Sequence, residues 1–264
     1  MSLVLVETRL STLLRMMMGC LLLAGAGTVG FGGNAQAVPR ESQEEKEANL
    51  KKQATGGLFQ KWTFDQDRPN EMPAGFVGVA TGNGQAAGWA VQGNPTAPSL
   101  PNVVSASSRC TAGKCYQLLL AKGFDYEYPD LTVRFRLSEG TSAKGGLAFG
   151  AKNAANFYAA VVDLIGLTAQ VVRVVEGQET VLGQAPVKLK DVEWHSLRVQ
   201  RNTIISKDFI ETFVDGSLVL SVEDQTLGMG QVGLLVSGDS SLLFDTFHAV
   251  PLFSHRPLSP PAAY

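Results

Sequence analysis

Charged side chains are scarce in this chain: Asp, Glu, Lys and Arg make up 17% of its 264 residues, where an average soluble protein has roughly 25%. With 45% of residues hydrophobic, that share argues against a disordered chain, which stays unfolded through charge and a shortage of apolar surface. An excess of basic residues is missing as well. Past residue 37 there are 20 Lys and Arg against 23 Asp and Glu, and a net charge of −3 removes the electrostatic footprint of a nucleic-acid binder. Histidine occurs three times, as His195, His248 and His255, never in the His-x-His or His-Glu-x-x-His spacing that holds zinc. No Gly-x-Ser-x-Gly elbow positions a nucleophilic serine. Thr81-Gly82-Asn83-Gly84 reads as a turn, because no Lys-Ser or Lys-Thr follows to complete a phosphate loop. Glycoside hydrolysis needs two cooperating carboxylates, yet the strand carboxylates Asp163, Glu211 and Asp245 have no acidic residue two positions on. Asp125, Glu127 and Asp130 cluster around Tyr126, Tyr128 and Pro129 and read as a solvated loop.

The cysteines divide between two segments. Cys20 sits in an apolar run from Met16 to Phe31, preceded by Arg9 and Arg15 and followed by Ala35-Gln36-Ala37. This order of charge, apolar run and small residues is that of a secretory signal, with cleavage expected after Ala37 and residues 1–37 removed. A retained anchor is the alternative, but about 20 apolar residues are needed to span a membrane, and this run has 16, four of them Gly. The mature chain is therefore expected in the periplasm or outside the cell, meeting a membrane only through its signal. There Cys110 and Cys115 lie in an oxidising compartment. They sit across the mouth of a hairpin loop, so a disulfide that pins this turn is expected.

Glycine is plentiful at 28 residues, above its usual share of about 7%, which suits short strands and tight turns. Residues 38–56 are polar, with four Glu and three Lys among them and no apolar stripe, and form a charged linker. Residues 253–264 carry Pro257, Pro260 and Pro261 and form a Pro-rich tail unsuited to adding a strand. The folded unit is then 57–252. Its clearest period is two: Leu131, Val133, Phe135 and Leu137 alternate with Thr132, Arg134, Arg136 and Ser138, a strand with one core face and one wet face. Asp215-Gly216 between Phe209–Val214 and Ser217–Val222 is a type I′ hairpin signal. About a dozen such runs, from Trp62–Phe64 to Leu242–Val250, follow at hairpin spacing without the helices that parallel strands require. The expected fold is all-β, a two-sheet antiparallel jelly-roll β-sandwich.

Several strings resemble one group of proteins in their order along the chain. Trp62-Thr63-Phe64-Asp65, Trp89-Ala90-Val91 and Ala97-Pro98-Ser99-Leu100-Pro101-Asn102-Val103 open the series. Gly145-Gly146-Leu147-Ala148-Phe149, Asn156-Phe157-Tyr158, Trp194-His195-Ser196-Leu197-Arg198-Val199, Gly230-Gln231-Val232-Gly233-Leu234 and Phe244-Asp245-Thr246-Phe247 continue it. Over residues 57–250 the chain resembles exported bacterial concanavalin A-like lectin/glucanase domains, including those named 3-keto-disaccharide hydrolase-like or of unknown function. The resemblance implies a concanavalin A-like sandwich that binds carbohydrate, or one that hydrolyses glycosides or 3-keto-glycosides. It is incomplete: relatives of this kind carry arginines where this chain has Gly150 and Val161, and the Glu-x-Asp-x-x-Glu and Glu-x-Asp-x-Glu strings of the retaining glucanases are absent.

A sugar site without catalysis needs an aromatic platform and a few convergent polar groups. Trp62, Trp89, Tyr158 and Trp194 are the platform candidates, with core packing as the competing role of each. Trp194 has opposite parity to His195 and Leu197, so it is the one expected to leave the core, while His195 faces inward. Arg134 and Arg136 share the wet face of one strand, and Arg173 is a further candidate, with Gln170 at opposite parity. The resemblance also makes Asp65 and Asp245 candidates for a structural calcium ion, although two carboxylates fall short of the six to eight oxygens Ca²⁺ prefers; no other cofactor is expected. A non-catalytic carbohydrate-binding module is the leading expectation, with a hydrolase and a ligand-free envelope module as the alternatives.

Overall fold

The computed structural model describes residues 58–81, 88–108, 115–138, 144–189 and 193–252, together with Ala48. The signal segment, most of the linker, the tail and Cys110 lie outside these residues. Fifteen strands run through the described residues: β1 (Gln60–Trp62), β2 (Phe76–Ala80), β3 (Gly88–Gly93), β4 (Asn102–Ser108), β5 (Tyr116–Tyr126), β6 (Pro129–Leu137), β7 (Lys144–Asn153) and β8 (Asn156–Asp163) come first. β9 (Thr168–Val175), β10 (Gln178–Pro186), β11 (His195–Ile204), β12 (Lys207–Val214), β13 (Ser217–Glu223), β14 (Gly230–Ser237) and β15 (Ser240–Pro251) complete the set.

They form two antiparallel sheets. The eight-stranded sheet has the order β13-β12-β11-β6-β15-β4-β3, with β1 also paired to β15; the seven-stranded sheet has the order β10-β9-β8-β7-β14-β5-β2. Strands adjacent in space come from both ends of the chain, as β15 shows by pairing with β1, β4 and β6. This is an all-β jelly-roll sandwich of the concanavalin A-like kind. The period of two read in β6 is realised: Leu131, Val133 and Phe135 are fully buried, while Thr132, Arg134 and Arg136 lie half-buried on the opposite face.

Turn chemistry closes the hairpins. Asp215 and Gly216 have φ of 47° and 80°, the pair of positive values that a type I′ turn needs. Glu176-Gly177 and Ile205-Ser206 have the same pair of signs and close β9–β10 and β11–β12. Two expectations need correction. The acidic segment expected to be a loop is mostly strand: β5 continues to Tyr126 and β6 begins at Pro129. Tyr126 is fully buried and its hydroxyl donates to Leu58 O at 2.7 Å, which draws this hairpin inward. The first strand ends at Trp62, because Phe64 adopts a φ of 65°, a left-handed conformation that interrupts pairing.

Between the sheets lies one apolar cluster built by both, including Phe76, Phe135, Leu147, Phe149, Leu197, Leu234, Phe244 and Phe247. The alternate residues of the seven-stranded sheet form a second cluster, with Leu118, Leu120, Phe157, Ala159, Val161, Val172 and Leu235 all buried. By strand alternation these point away from the first cluster, so this sheet is apolar on both faces. At one side the edge strands of the two sheets approach so closely that a Cβ on Gly183 of β10 would stand 2.7 Å from Val222 Cγ1 of β13.

Candidate functional site

The outer face of the eight-stranded sheet is polar, and most of the useful candidates meet there. Arg134 and Arg136 stand two residues apart on β6 and point the same way. Across the ladder, Phe135 pairs with His195 and Arg134 with Asp245. Trp194 immediately precedes the His195–Phe135 pair, which sets it beside Arg136. It is half-buried, in keeping with its parity against His195.

The loop between β3 and β4, residues 94–101, folds over these side chains. Asn94 makes an Asx turn, its Oδ1 accepting from both the N–H and the hydroxyl of Thr96 at 2.8 Å. The Thr96 Oγ1 then accepts from Arg136 at 2.7 Å and, at 3.4 Å, from the Trp194 indole N–H. Arg134 donates to the Trp194 carbonyl at 2.9 Å. One threonine hydroxyl thus joins an aromatic ring and a guanidinium to an exposed turn, while a second guanidinium holds the backbone of that ring. Asn94, Thr96 and Ser99 are contributors that sequence reasoning missed. The Asn-Pro-Thr string was the available signal for a turn, but its partners lie 40 and 98 positions away.

The other end of the loop is held by two carboxylates, Asp245 buried and Asp65 half-buried. The Ser99 N–H donates to Asp245 Oδ2 at 2.6 Å, and its hydroxyl donates to Asp65 Oδ2 at 2.6 Å. Asp245 has no exposed surface. Burial pushes its pKa up to about 6, and the nearby Asp65 charge adds to this, while hydrogen bonds from Ser99 and Thr246 and the charge of Arg134 act in the opposite direction.

These residues do not fit a calcium ion. The carbonyls of Phe64, Asp65 and Asp67 converge on the side-chain nitrogen of Asn102, at 3.4, 3.3 and 3.3 Å. An amide donor therefore fills the place to which these oxygens point. Among the described residues no group of three or more His, Cys, Asp or Glu could hold a metal.

The remaining candidates lie elsewhere, and Trp89 and Tyr158 need correction as surface platforms. Trp89 is 6% exposed and Tyr158 fully buried, so both belong to the core. Trp62 is half-buried and stacks on Phe247 at 5.0 Å, with Phe76 and Phe124 edge-on. Arg173 belongs to the seven-stranded sheet and is bound to Asp224, as is the Tyr158 hydroxyl. Burial alone would push the Asp224 carboxyl up; bonds from Tyr158 and Thr226 and the Arg173 charge outweigh it and hold its pKa below the ordinary value. Gln170 bonds Gln184 at 2.9 Å, well apart from the arginines of β6. His195 is buried against Phe135, and its Nδ1 lies 2.8 Å from Asp215 Oδ2. Val161 sits in the apolar cluster of the seven-stranded sheet. Gly150 has a φ of 58°, a backbone that strains any larger residue.

No family model matches the sequence, and no curated protein matches it. Solved structures resemble it in fold. The carbohydrate binding module CBM66 from Bacillus subtilis aligns with a TM-score of 0.53 and 18% identity, over 67% of this chain and 95% of that one. The cellulose induced protein Cip1 aligns with a TM-score of 0.52 and 12% identity, over 73% of this chain and 97% of its own. At such identities the likeness is one of fold.

Proposed function

We propose that this protein is an exported, non-catalytic carbohydrate-binding module whose binding surface is the outer face of the eight-stranded sheet around Trp194, Arg134, Arg136 and Thr96. The observation that carries the reading is the placement of Trp194. Its ring is half-buried, fixed at its backbone by Arg134 and at its indole by Thr96, and it stands among donors that could bind sugar hydroxyls. An aromatic face with a few fixed polar groups is what pyranose recognition needs. The fold shared with CBM66, itself a carbohydrate binding module, supports the same reading.

Catalysis finds no support in the adjoining carboxylates. Asp245 is sealed from solvent and, like Asp65, is committed to Ser99, so the pair cannot serve a glycosidic bond as acid and nucleophile. The ordered features of residues 1–37 support secretion with cleavage near Ala37. A Cys110–Cys115 disulfide in the exported chain belongs to the same proposal.

A glycan array followed by calorimetry on the positive sugars tests the function. Trp194→Ala should weaken binding about tenfold or more, as loss of a stacked ring would, with the circular dichroism spectrum and melting temperature unchanged. Undiminished binding would move the site elsewhere. A blank array on folded protein would leave a structural envelope module, and sugar release would restore the hydrolase.

A further inference from the structure

The cations on the outer face of the eight-stranded sheet differ in how their charge is balanced. Arg198 of β11 is held at two points by Asp130, at 2.8 and 2.6 Å. Arg134 lies opposite Asp245 in the ladder and within reach of its charge. Arg136 bonds a neutral threonine hydroxyl, and among the described residues no carboxylate pairs with it. Its Nε, like that of Arg134, is buried without a hydrogen-bond partner, so the difference between the two lies in the missing carboxylate. A guanidinium drawn half out of water without an anion is unfavourable, and its planar donor fork matches a carboxylate.

Resting on the carbohydrate-binding reading above, we infer that the ligand is an acidic glycan whose anionic group is received by Arg136 while its sugar ring lies on Trp194. The shared Thr96 hydroxyl sets guanidinium and indole side by side, 2.7 and 3.4 Å from one oxygen. The anion and the ring that meet them therefore belong to one residue of the glycan or to two in succession. A carboxylate is the favoured anion, because two parallel N–H donors suit its geometry better than a neutral hydroxyl. The ligand class is thus a uronate-containing polysaccharide, with a sulfate ester as the other source of the same charge.

The test titrates the full chain with oligosaccharides of galacturonan, alginate and glucuronan, each beside its methyl ester, and with a sulfated galactan beside its desulfated form. The acid of at least one pair should bind ten times or more tightly than its ester. Added salt should narrow that ratio, since screening weakens the charge contribution. Arg136→Gln should bring the ratio close to one, whereas Arg198→Gln combined with Asp130→Asn, which removes a balanced pair from the same face, should leave it unchanged. A preference confined to the sulfated galactan, with the same response to Arg136→Gln, keeps the anionic ligand and assigns it a sulfate. Equal binding of acids and esters, or a ratio indifferent to Arg136→Gln, overturns the inference while the carbohydrate module stands. Absence of binding to every glycan on the array overturns both.

Discussion

Asp245 is a carboxyl group that folding makes harder to ionise. Its pKa of about 6 exceeds the roughly 3.9 of an unfolded aspartate, so the folded state holds its proton more tightly. The associated stability is fully present below the unfolded value and is lost as the pH rises through about 6. Taking the chain from pH 7.5 to 5 should therefore stabilise it by about 1 kcal/mol relative to Asp245→Asn. Melting curves of both proteins across that interval measure it, and parallel curves would show that Asp245 titrates normally. At this scale parity was the informative signal. It put Arg134, Arg136 and Trp194 on a wet surface from residue spacing alone. The sequence was silent on Thr96 and Ser99, because their importance comes from partners brought near by the sheet order. Parity also could not tell that Trp89 and Tyr158 would turn inward, since either face of an isolated strand can take a large ring.

The β12–β13 hairpin shows an element whose sequence and structure agree, and whose turn does a second task. Asp215 adopts a positive φ at the turn, and its carboxylate also receives the Ser196 N–H at 2.8 Å and contacts His195 Nδ1. Asp215→Asn keeps the left-handed preference and an acceptor, whereas Asp215→Ala loses both. The alanine variant should cost about 1–3 kcal/mol in urea unfolding and the asparagine variant distinctly less; equal losses would assign the effect to charge. Legibility varied among the strands for physical reasons. β6 and β12 alternate because one face is core and the other water. β10 was missed: it is an edge strand whose residues are mostly exposed or half-buried, so no apolar period marks it. The end of β5 was misread because Asp125, Glu127 and Asp130 look like a solvated loop. In the fold Asp130 is engaged by Arg198 and Gln200.

For the whole molecule, the two sheets have different outer surfaces. The order of the weak strings was enough to anticipate a concanavalin A-like sandwich, since each marks a strand or turn that the jelly roll requires. Which outer surface would be polar depended on strand order, and that was beyond the sequence. Val161 belongs to an apolar face, whereas Arg134, Arg136 and Trp194 stand on the outer face of the opposite sheet. The seven-stranded sheet, apolar on both sides, consequently lacks the wet face through which backbone hydrogen bonds open most readily. Amide hydrogen exchange should divide the protein accordingly, with β7, β8 and β14 releasing their protons only on global unfolding, and β12 and β13 through smaller local openings. Uniform exchange across the two sheets would show that the sandwich opens as one unit. With the division present, the proposed glycan-binding surface would sit on the half of the protein that fluctuates more, so ligand binding there would be visible as slowed exchange in β6 and β11.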